Sequence, residues 1–219
     1  MISIILTTFN DSPFLKTAIP SCLQQGIEKE LILVDDCSTK PIDPAVQKLI
    51  DQHGIKYVRH AKNQGLSAAR NTGIAAAKYD WVIPLDADDY FYPNSVKTLW
   101  EAREGFDIVT GNCTDAGVYK PAISREPLSK EVFLRENPLV CSSLFTKEIW
   151  SRVGGYTVWP GPHYEDLRFW AQCFVKGARF RYLDLNIYHH TSRPDSMLRI
   201  LHPNGAYYKK LATEGVFPK

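Results

Sequence analysis

The 219-residue sequence lacks both a strong net charge and a long apolar segment. Its 26 lysine and arginine residues nearly balance 24 aspartate and glutamate residues, and the net charge of +2 argues against a protein that binds nucleic acid through a basic field. No segment approaches the roughly 18 to 20 apolar residues that are needed to span a bilayer. This composition is therefore compatible only with peripheral contact with a membrane, which we would expect at the cytoplasmic face of the membrane.

Paired cysteines and linkers are also missing. The five cysteines are odd in number and have no Cys-x-x-Cys spacing, which predicts neither a disulfide framework nor a zinc site and favours a reducing cytoplasm. The apolar N-terminus has no basic leader or small-residue cleavage site, so we expect a first strand there and not a signal peptide. Without internal repeats or a Gly/Ser linker, the sequence predicts a single domain over residues 1–219.

Short β-rich runs alternate with helical segments in the first half of the chain. We predict strands at Ile2–Thr8, Leu31–Val34, Ile55–Arg59 and Trp81–Leu85, and an alanine-rich helix over Ser67–Lys78. Such alternation indicates a parallel sheet. The predicted fold class is therefore α/β, with a Rossmann-like, mostly parallel sheet flanked by helices.

The second half of the chain has a less regular pattern. Strands are expected at Phe106–Thr110, near Val118 and at Val140–Phe145, and a helix over Tyr164–Lys176. The stretch Ser196–Leu211 is compatible with a helix over the cleft or with a mobile tail, and the pattern does not decide between them.

Acidic clusters follow two of the predicted strands, at Asp35-Asp36 and at Asp86-Ala87-Asp88-Asp89. In open parallel sheets, ligands bind at the carboxyl ends of the strands, so the topology predicts that both clusters border one cleft. Asp86 and Asp88 offer the hard oxygen ligands that Mg²⁺ or Mn²⁺ prefers beside a diphosphate. Asp36 can accept hydrogen bonds from a base or a ribose. The alternatives are a solvated acidic turn and a helix-capping turn.

A further motif, Asn63-Gln-Gly-Leu-Ser-Ala-Ala-Arg-Asn-Thr-Gly73, opens the alanine-rich helix. Its small residues permit close packing, and Arg70 can reach a carboxylate or a phosphate. In chain order, Thr7–Asn10, Val34–Ser38, this motif and Leu85–Asp89 resemble the conserved blocks of the family 2 glycosyltransferases. Gly154-Gly-Tyr156, followed by Glu165–Trp170, is similar to a fifth block.

The resemblance implies a GT-A fold with a nucleotide-sugar-binding half at 1–110, an acceptor-binding and catalytic half at 111–195, and a C-terminal helix or tail at 196–219. It implies the inverting transfer of a single sugar from a nucleotide-diphosphate sugar, a UDP-sugar by first expectation, to a hydroxyl of a saccharide or lipid-linked acceptor. Mn²⁺ or Mg²⁺ is the implied cofactor. Processive synthesis is disfavoured because the Gln-x-x-Arg-Trp motif is absent.

The same resemblance implies roles for individual residues. The implied donor-binding residues are Thr8, Phe9, Asn10, Asp36, Asn63, Gly65, Arg70 and Asp86. Asp86 and Asp88 are the implied metal ligands. Asp166 matches the catalytic base, which takes the proton of the acceptor hydroxyl as it attacks the anomeric carbon, and Glu165 orients the acceptor. The alternative is that Glu165 and Asp166 are solvated residues in the first turn of a helix.

His189 and His190 follow a strand-like run at Leu183–Tyr188. Adjacent residues of a strand point to opposite faces, so at most one of the two can complete a metal shell, and His190 is the candidate. An ordinary structural histidine is the alternative.

Three other functions compete with this prediction. A catalytically degenerate protein would bind a nucleotide sugar without turning it over. A haloacid-dehalogenase-like phosphotransferase also uses Asp-x-Asp, but normally after its first strand, and a sugar-1-phosphate nucleotidyltransferase needs a glycine-rich basic loop that Thr8–Asp11 does not provide.

Overall fold

The computed structural model describes residues 1–115, 118–120, 127–159, 164–193 and 205–218. Its strands are β1 (Ile2–Thr8), β2 (Lys29–Asp35), β3 (Lys56–Arg59), β4 (Trp81–Asp86), β5 (Tyr90–Phe91), β6 (Ile108–Asp115), β7 (Val118–Lys120), β8 (Leu144–Thr146) and β9 (Phe180–His190). Its α-helices are α1 (Leu15–Leu23), α2 (Pro44–His53), α3 (Leu66–Ala76), α4 (Ser95–Glu101), α5 (Lys130–Arg135), α6 (Lys147–Val153), α7 (Glu165–Val175) and α8 (Gly205–Thr213).

All of these strands join one sheet, in the order β3-β2-β1-β4-β8-β6-β9-β5, with β7 paired to β6. The strands β3, β2, β1 and β4 are parallel, as are β6 and β9, whereas β8 runs antiparallel to both of its neighbours. The predicted mostly parallel sheet flanked by helices is therefore confirmed. Every residue of β1 is buried because helices cover both faces of the sheet.

The second half differs from the sequence prediction in several places. Strand β6 begins at Ile108 and continues to Asp115, and β8 begins only at Leu144. The short helices α4, α5 and α6 were not predicted, since each is shorter than the pattern needed to recognise a helix. Helix α8 begins within the stretch Ser196–Leu211, while residues 160–163 and 194–204 lie outside the described residues.

Helix α3 packs directly on the sheet because Gly73 has no side chain. A Cβ atom at this position would lie 2.3 Å from Ile5 Cγ2 and 3.2 Å from Val34 Cγ2. This contact fixes the distance between the helix that carries Arg70 and the strand ends β1 and β2. Gly73, the last residue of the Asn63–Gly73 motif, therefore has a packing role.

We expect Gly73→Ala to lower the free energy of unfolding by about 1–3 kcal/mol, since overpacking outweighs the gain in helix propensity of about 1 kcal/mol. Urea denaturation would measure the effect as a lower midpoint at an unchanged m-value. Ala75→Ser, on the exposed side of the same helix, is the control and should change stability by less than about 0.5 kcal/mol. Equal stability of Gly73→Ala and the unmodified protein would contradict the close contact.

Candidate active site

The sheet brings three of the sequence motifs to one edge. The register of β1 pairs Thr8 with Asp35 of β2 on one side and Thr7 with Asp86 of β4 on the other. The acidic residues that follow β2 and β4 therefore flank the carboxyl end of β1. This is the edge at which open α/β sheets bind ligands.

Asp36 holds the loop in front of α3. Its buried carboxylate accepts hydrogen bonds from the backbone N–H groups of Gln64 (2.8 Å) and Gly65 (2.7 Å), and it lies 2.7 Å from His60 Nδ1. Asn63 donates to the Asp36 carbonyl at 3.2 Å. Gly65 has φ 87°, a conformation that favours glycine. Asp36, Asn63 and Gly65 thus form one structural unit, to which His60 adds a contact that the sequence did not reveal.

The residues after β1 divide into two groups. Asn10 Oδ1 accepts hydrogen bonds from the backbone N–H groups of Thr39 and Lys40, at 2.9 and 3.1 Å, and so holds the loop after β2. Phe9 is 43% exposed. Thr8 is buried, and its hydroxyl has no hydrogen-bond partner among the described residues. Thr8 and Phe9 thus keep groups that a ligand can use, whereas the Asn10 side chain is engaged within the protein.

Arg70 connects the end of β4 with the start of α7. One guanidinium nitrogen lies 3.0 Å from both carboxylate oxygens of Asp86, and another lies 2.7 Å from Glu165 Oε1. The side chain is only 1% exposed. Arg70, an implied donor-binding residue, therefore lies between two acidic residues. Thr7 adds a hydrogen bond of 3.1 Å to Asp86.

The acidic run after β4 forms a cluster with a cysteine from the segment before β8. Ligating atoms of Asp86, Asp89 and Cys141 lie within 4.8 Å of one another. Asp89 is buried and accepts a hydrogen bond of 2.8 Å from the backbone N–H of Thr191. Burial and the neighbouring Asp86 raise the pKa of Asp89 well above its usual range. Nothing in the local sequence marks Cys141 as part of this cluster.

Asp88 is half-buried and lies 3.3 Å from an Arg193 nitrogen, which also contacts Asp11 at 2.7 Å. Burial and Asp86 raise the pKa of Asp88. Asp88 and His190 both lie outside the Asp86–Asp89–Cys141 group, and His190 Nδ1 is 3.7 Å from Asp115 Oδ1. The clustered carboxylate oxygens suit a divalent cation, since hard cations prefer such ligands and a cation relieves the repulsion between like charges.

Glu165 and Asp166 form the first turn of α7. Burial raises the pKa of Glu165 to about 7, although the Arg70 charge opposes this shift. Asp166 Oδ1 accepts a hydrogen bond from the backbone N–H of Leu167, and Asp166 Oδ2 accepts one from Asn137 Nδ2, both at 2.8 Å. Burial also raises the pKa of Asp166. The sequence did not reveal Asn137, which lies 29 residues away along the chain.

Residues 3–144 match the family model described as Glycosyl transferase family 2. The chain belongs to glycosyltransferase family 2. It is 32% identical over 104 residues to the succinoglycan biosynthesis protein ExoO of Rhizobium meliloti, a match that covers 47% of this chain and 30% of ExoO. It is 31% identical over 116 residues to the glycosyltransferase GlyG of Streptococcus pneumoniae serotype 4, covering 51% of this chain and 38% of GlyG. The matches thus span less than half the length of either relative.

Solved structures confirm the GT-A fold of this family 2 chain. S. aureus TarS in complex with UDP-GlcNAc superposes with a TM-score of 0.77 at 20% identity, covering 90% of this chain and 60% of that one. The mannosyltransferase PcManGT from Pyrobaculum calidifontis, in complex with GDP-Man and Mn²⁺, gives 0.72 at 18% identity, covering 99% and 65%. At these identities the likeness establishes the fold alone. Among the described residues, no helix is both long enough and apolar enough to cross a bilayer.

Proposed function

We propose that this chain is the catalytic domain of an inverting, metal-dependent glycosyltransferase that moves one sugar from a nucleotide-diphosphate sugar to a hydroxyl acceptor. The main support is the placement of Arg70, whose guanidinium binds Asp86 on the donor side and Glu165 on the acceptor side. Its charge also acts on Asp166. One candidate metal ligand, Asp86, and the acceptor-side pair Glu165 and Asp166 therefore lie around one buried cation.

In this proposal, residues 1–110 bind the donor and 111–195 bind the acceptor, with 196–219 as a C-terminal extension of the same domain. The Thr8 hydroxyl and the Phe9 ring contact the nucleoside, and Asp36 with Asn63 and Gly65 shapes its pocket. Asn10 supports that pocket through the loop it holds. Asp86 and Asp88 bind Mn²⁺ or Mg²⁺, and His190 is a further candidate ligand. When bound, the cation neutralises the diphosphate that leaves.

Asp166 accepts the proton of the acceptor hydroxyl as that oxygen attacks the anomeric carbon from the face opposite the diphosphate. Glu165 orients the acceptor and is itself held by Arg70. A UDP-sugar is the first donor to test, and GDP-sugars follow because the two structural neighbours bind UDP-GlcNAc and GDP-Man. The similarity to a succinoglycan biosynthesis protein supports a role in polysaccharide synthesis. We propose a saccharide acceptor, free or lipid-linked, and a cytoplasmic location.

A donor panel with Mn²⁺ tests this function. A cognate donor at 100 times its Kd should stabilise the protein by about 2.7 kcal/mol, or about 5–10 °C in Tm, and it should be hydrolysed slowly without acceptor. Stabilisation without hydrolysis or transfer would favour the catalytically degenerate alternative. No stabilisation by any UDP- or GDP-sugar would contradict donor binding itself.

Asp88→Asn should weaken Mn²⁺-dependent donor binding by at least about 100-fold, because it removes a charged ligand. Titration calorimetry with and without Mn²⁺ would measure this loss. Asp11→Asn is the matched control, since Asp11 contacts the same Arg193 nitrogen as Asp88. If both variants lose binding equally, the loss stems from Arg193 and Asp88 is not the ligand.

A further inference from the structure

We propose that Asn137 is a positioning residue for the catalytic base, holding the Asp166 carboxylate in one orientation and in its charged form. This inference rests on the proposed function, in which Asp166 is the base. Asn137 follows α5 and reaches Asp166 on α7 across the packed helices. No sequence motif connects the two residues.

The geometry restricts both oxygens of Asp166. Oδ2 accepts from Asn137 Nδ2 and Oδ1 from the backbone N–H of Leu167, each at 2.8 Å. The backbone N–H of Leu167 is available as a donor whatever side chain stands at 137, whereas the second hydrogen bond requires the side-chain amide of Asn137. Two donors on opposite oxygens fix the plane of the carboxylate and leave the remaining lone pairs for an acceptor hydroxyl.

The Asn137 amide has an unfavourable environment of its own. Its Oδ1 atom is buried and has no hydrogen-bond partner among the described residues. A buried acceptor without a donor destabilises the folded protein, so this side chain is not explained by its contribution to stability. The amide orientation follows from Asp166 alone, because the flipped amide would turn an oxygen towards a carboxylate.

The charges around Asp166 explain why a donor is useful there. Glu165 lies on the same helix, Asp86 lies at the end of β4, and Arg70 on α3 supplies the positive charge. The neutral groups that face it are Tyr164, Tyr156 and Cys141. Burial favours the protonated acid and the hydrogen bonds favour the carboxylate. A protonated Asp166 cannot accept a proton, so transfer must fall as the pH falls below its pKa.

Two variants separate this role from a packing role. Asn137→Leu has nearly the same size but no donor, and Asn137→Asp keeps the shape and replaces the donor with a second carboxyl group. We expect the titration midpoint of Asp166 to rise by roughly one pH unit in Asn137→Leu. In Asn137→Asp the two carboxyl groups should share a proton, and the upper step should lie higher still.

The midpoint can be measured directly on the full chain by NMR, with aspartate labelled with ¹³C at the side-chain carboxyl. Loss of one signal in Asp166→Asn assigns the resonance. The pH profile of transfer provides the second measurement: the acid limb should move to higher pH by the same amount, whatever kcat is lost on the alkaline plateau because the carboxylate is less well oriented. Merely structural damage would lower the rate without moving the acid limb.

An unchanged midpoint in both variants, together with an acid limb that does not move, would overturn the positioning role. Asn137→Asp supplies the answer if Asn137→Leu does not fold. In a third outcome, the midpoint of Asp166 shifts in the Asn137 variants while the Asp166→Asn variant still transfers sugar. That result would leave the contact between Asn137 and Asp166 intact and would refute Asp166 as the base. Failure of the inference and failure of the proposed function are therefore distinguishable.

Discussion

Asp166→Asn should reduce glycosyl transfer by about 10²–10⁴-fold, because the amide has nearly the shape of the carboxylate but cannot accept a proton as a base does. Donor binding should stay within about twofold, since Asp166 is placed on the acceptor side and contacts neither Asp86 nor Asp88 in the hydrogen bonds formed by its carboxylate. The expected signature is therefore a fall in kcat with an unchanged Kd for the donor.

Single-turnover transfer and calorimetric titration of the donor, both with Mn²⁺, would measure the two quantities. Glu165→Gln is the informative comparison, because Glu165 stands one residue earlier in the same helical turn and bonds Arg70. We expect it to weaken acceptor use and leave a larger residual kcat than Asp166→Asn. The opposite ranking would assign the base to Glu165, and full activity of both variants would remove the pair from the mechanism.

The first half of the fold could be predicted because its signals are local. Strands β1, β2 and β4 each contain a short apolar run, and the acidic residues that end β2 and β4 are visible in the sequence. Parallel topology then brings the strand ends to one edge without further information. Short helices left weaker signals. Thr146 caps α6 and Ser129 caps α5, each followed by an acidic residue two positions later, and these caps could have indicated both helices.

Contacts across long stretches of chain could not be predicted. The partners of Arg70 lie 16 and 95 residues away, and the pattern gives no indication of which of many acidic residues it will meet. Cys141 approaches Asp86 and Asp89 only because β8 inserts antiparallel between β4 and β6. The sequence motifs thus identified most of the candidate residues, and the tertiary structure determined which of them bind one another.

Arg70→Met should lower the free energy of unfolding by about 3–5 kcal/mol, since it leaves Asp86 and Glu165 without their shared buried cation. Methionine keeps an unbranched apolar side chain, so most of the loss comes from charge and not from volume. Thermal and urea unfolding would measure it. Arg70→Lys is the matched control, and it should lose less because it keeps the charge while giving up the paired geometry.

Glu165 sets the pH dependence of this loss. Its pKa of about 7 is raised by burial against the opposing Arg70 charge, so the carboxyl group is largely protonated in the folded protein below that pH. A carboxyl group with a raised pKa destabilises the fold as pH rises through that pKa. Removing Arg70 raises the pKa further, so the stability gap between Arg70→Met and the unmodified protein should widen as the pH rises above about 7.

The double variant Arg70→Met/Glu165→Gln tests the cause of that gap. Because glutamine carries no charge to leave unpaired, the double variant should be more stable than Arg70→Met alone, and its gap should no longer widen with pH. A gap that is constant with pH in both variants would mean that Arg70 stabilises the fold through packing against Tyr156, whose ring centroid lies 5.5 Å from the guanidinium carbon. The buried cation would then bind the two halves of the site by shape and not by charge.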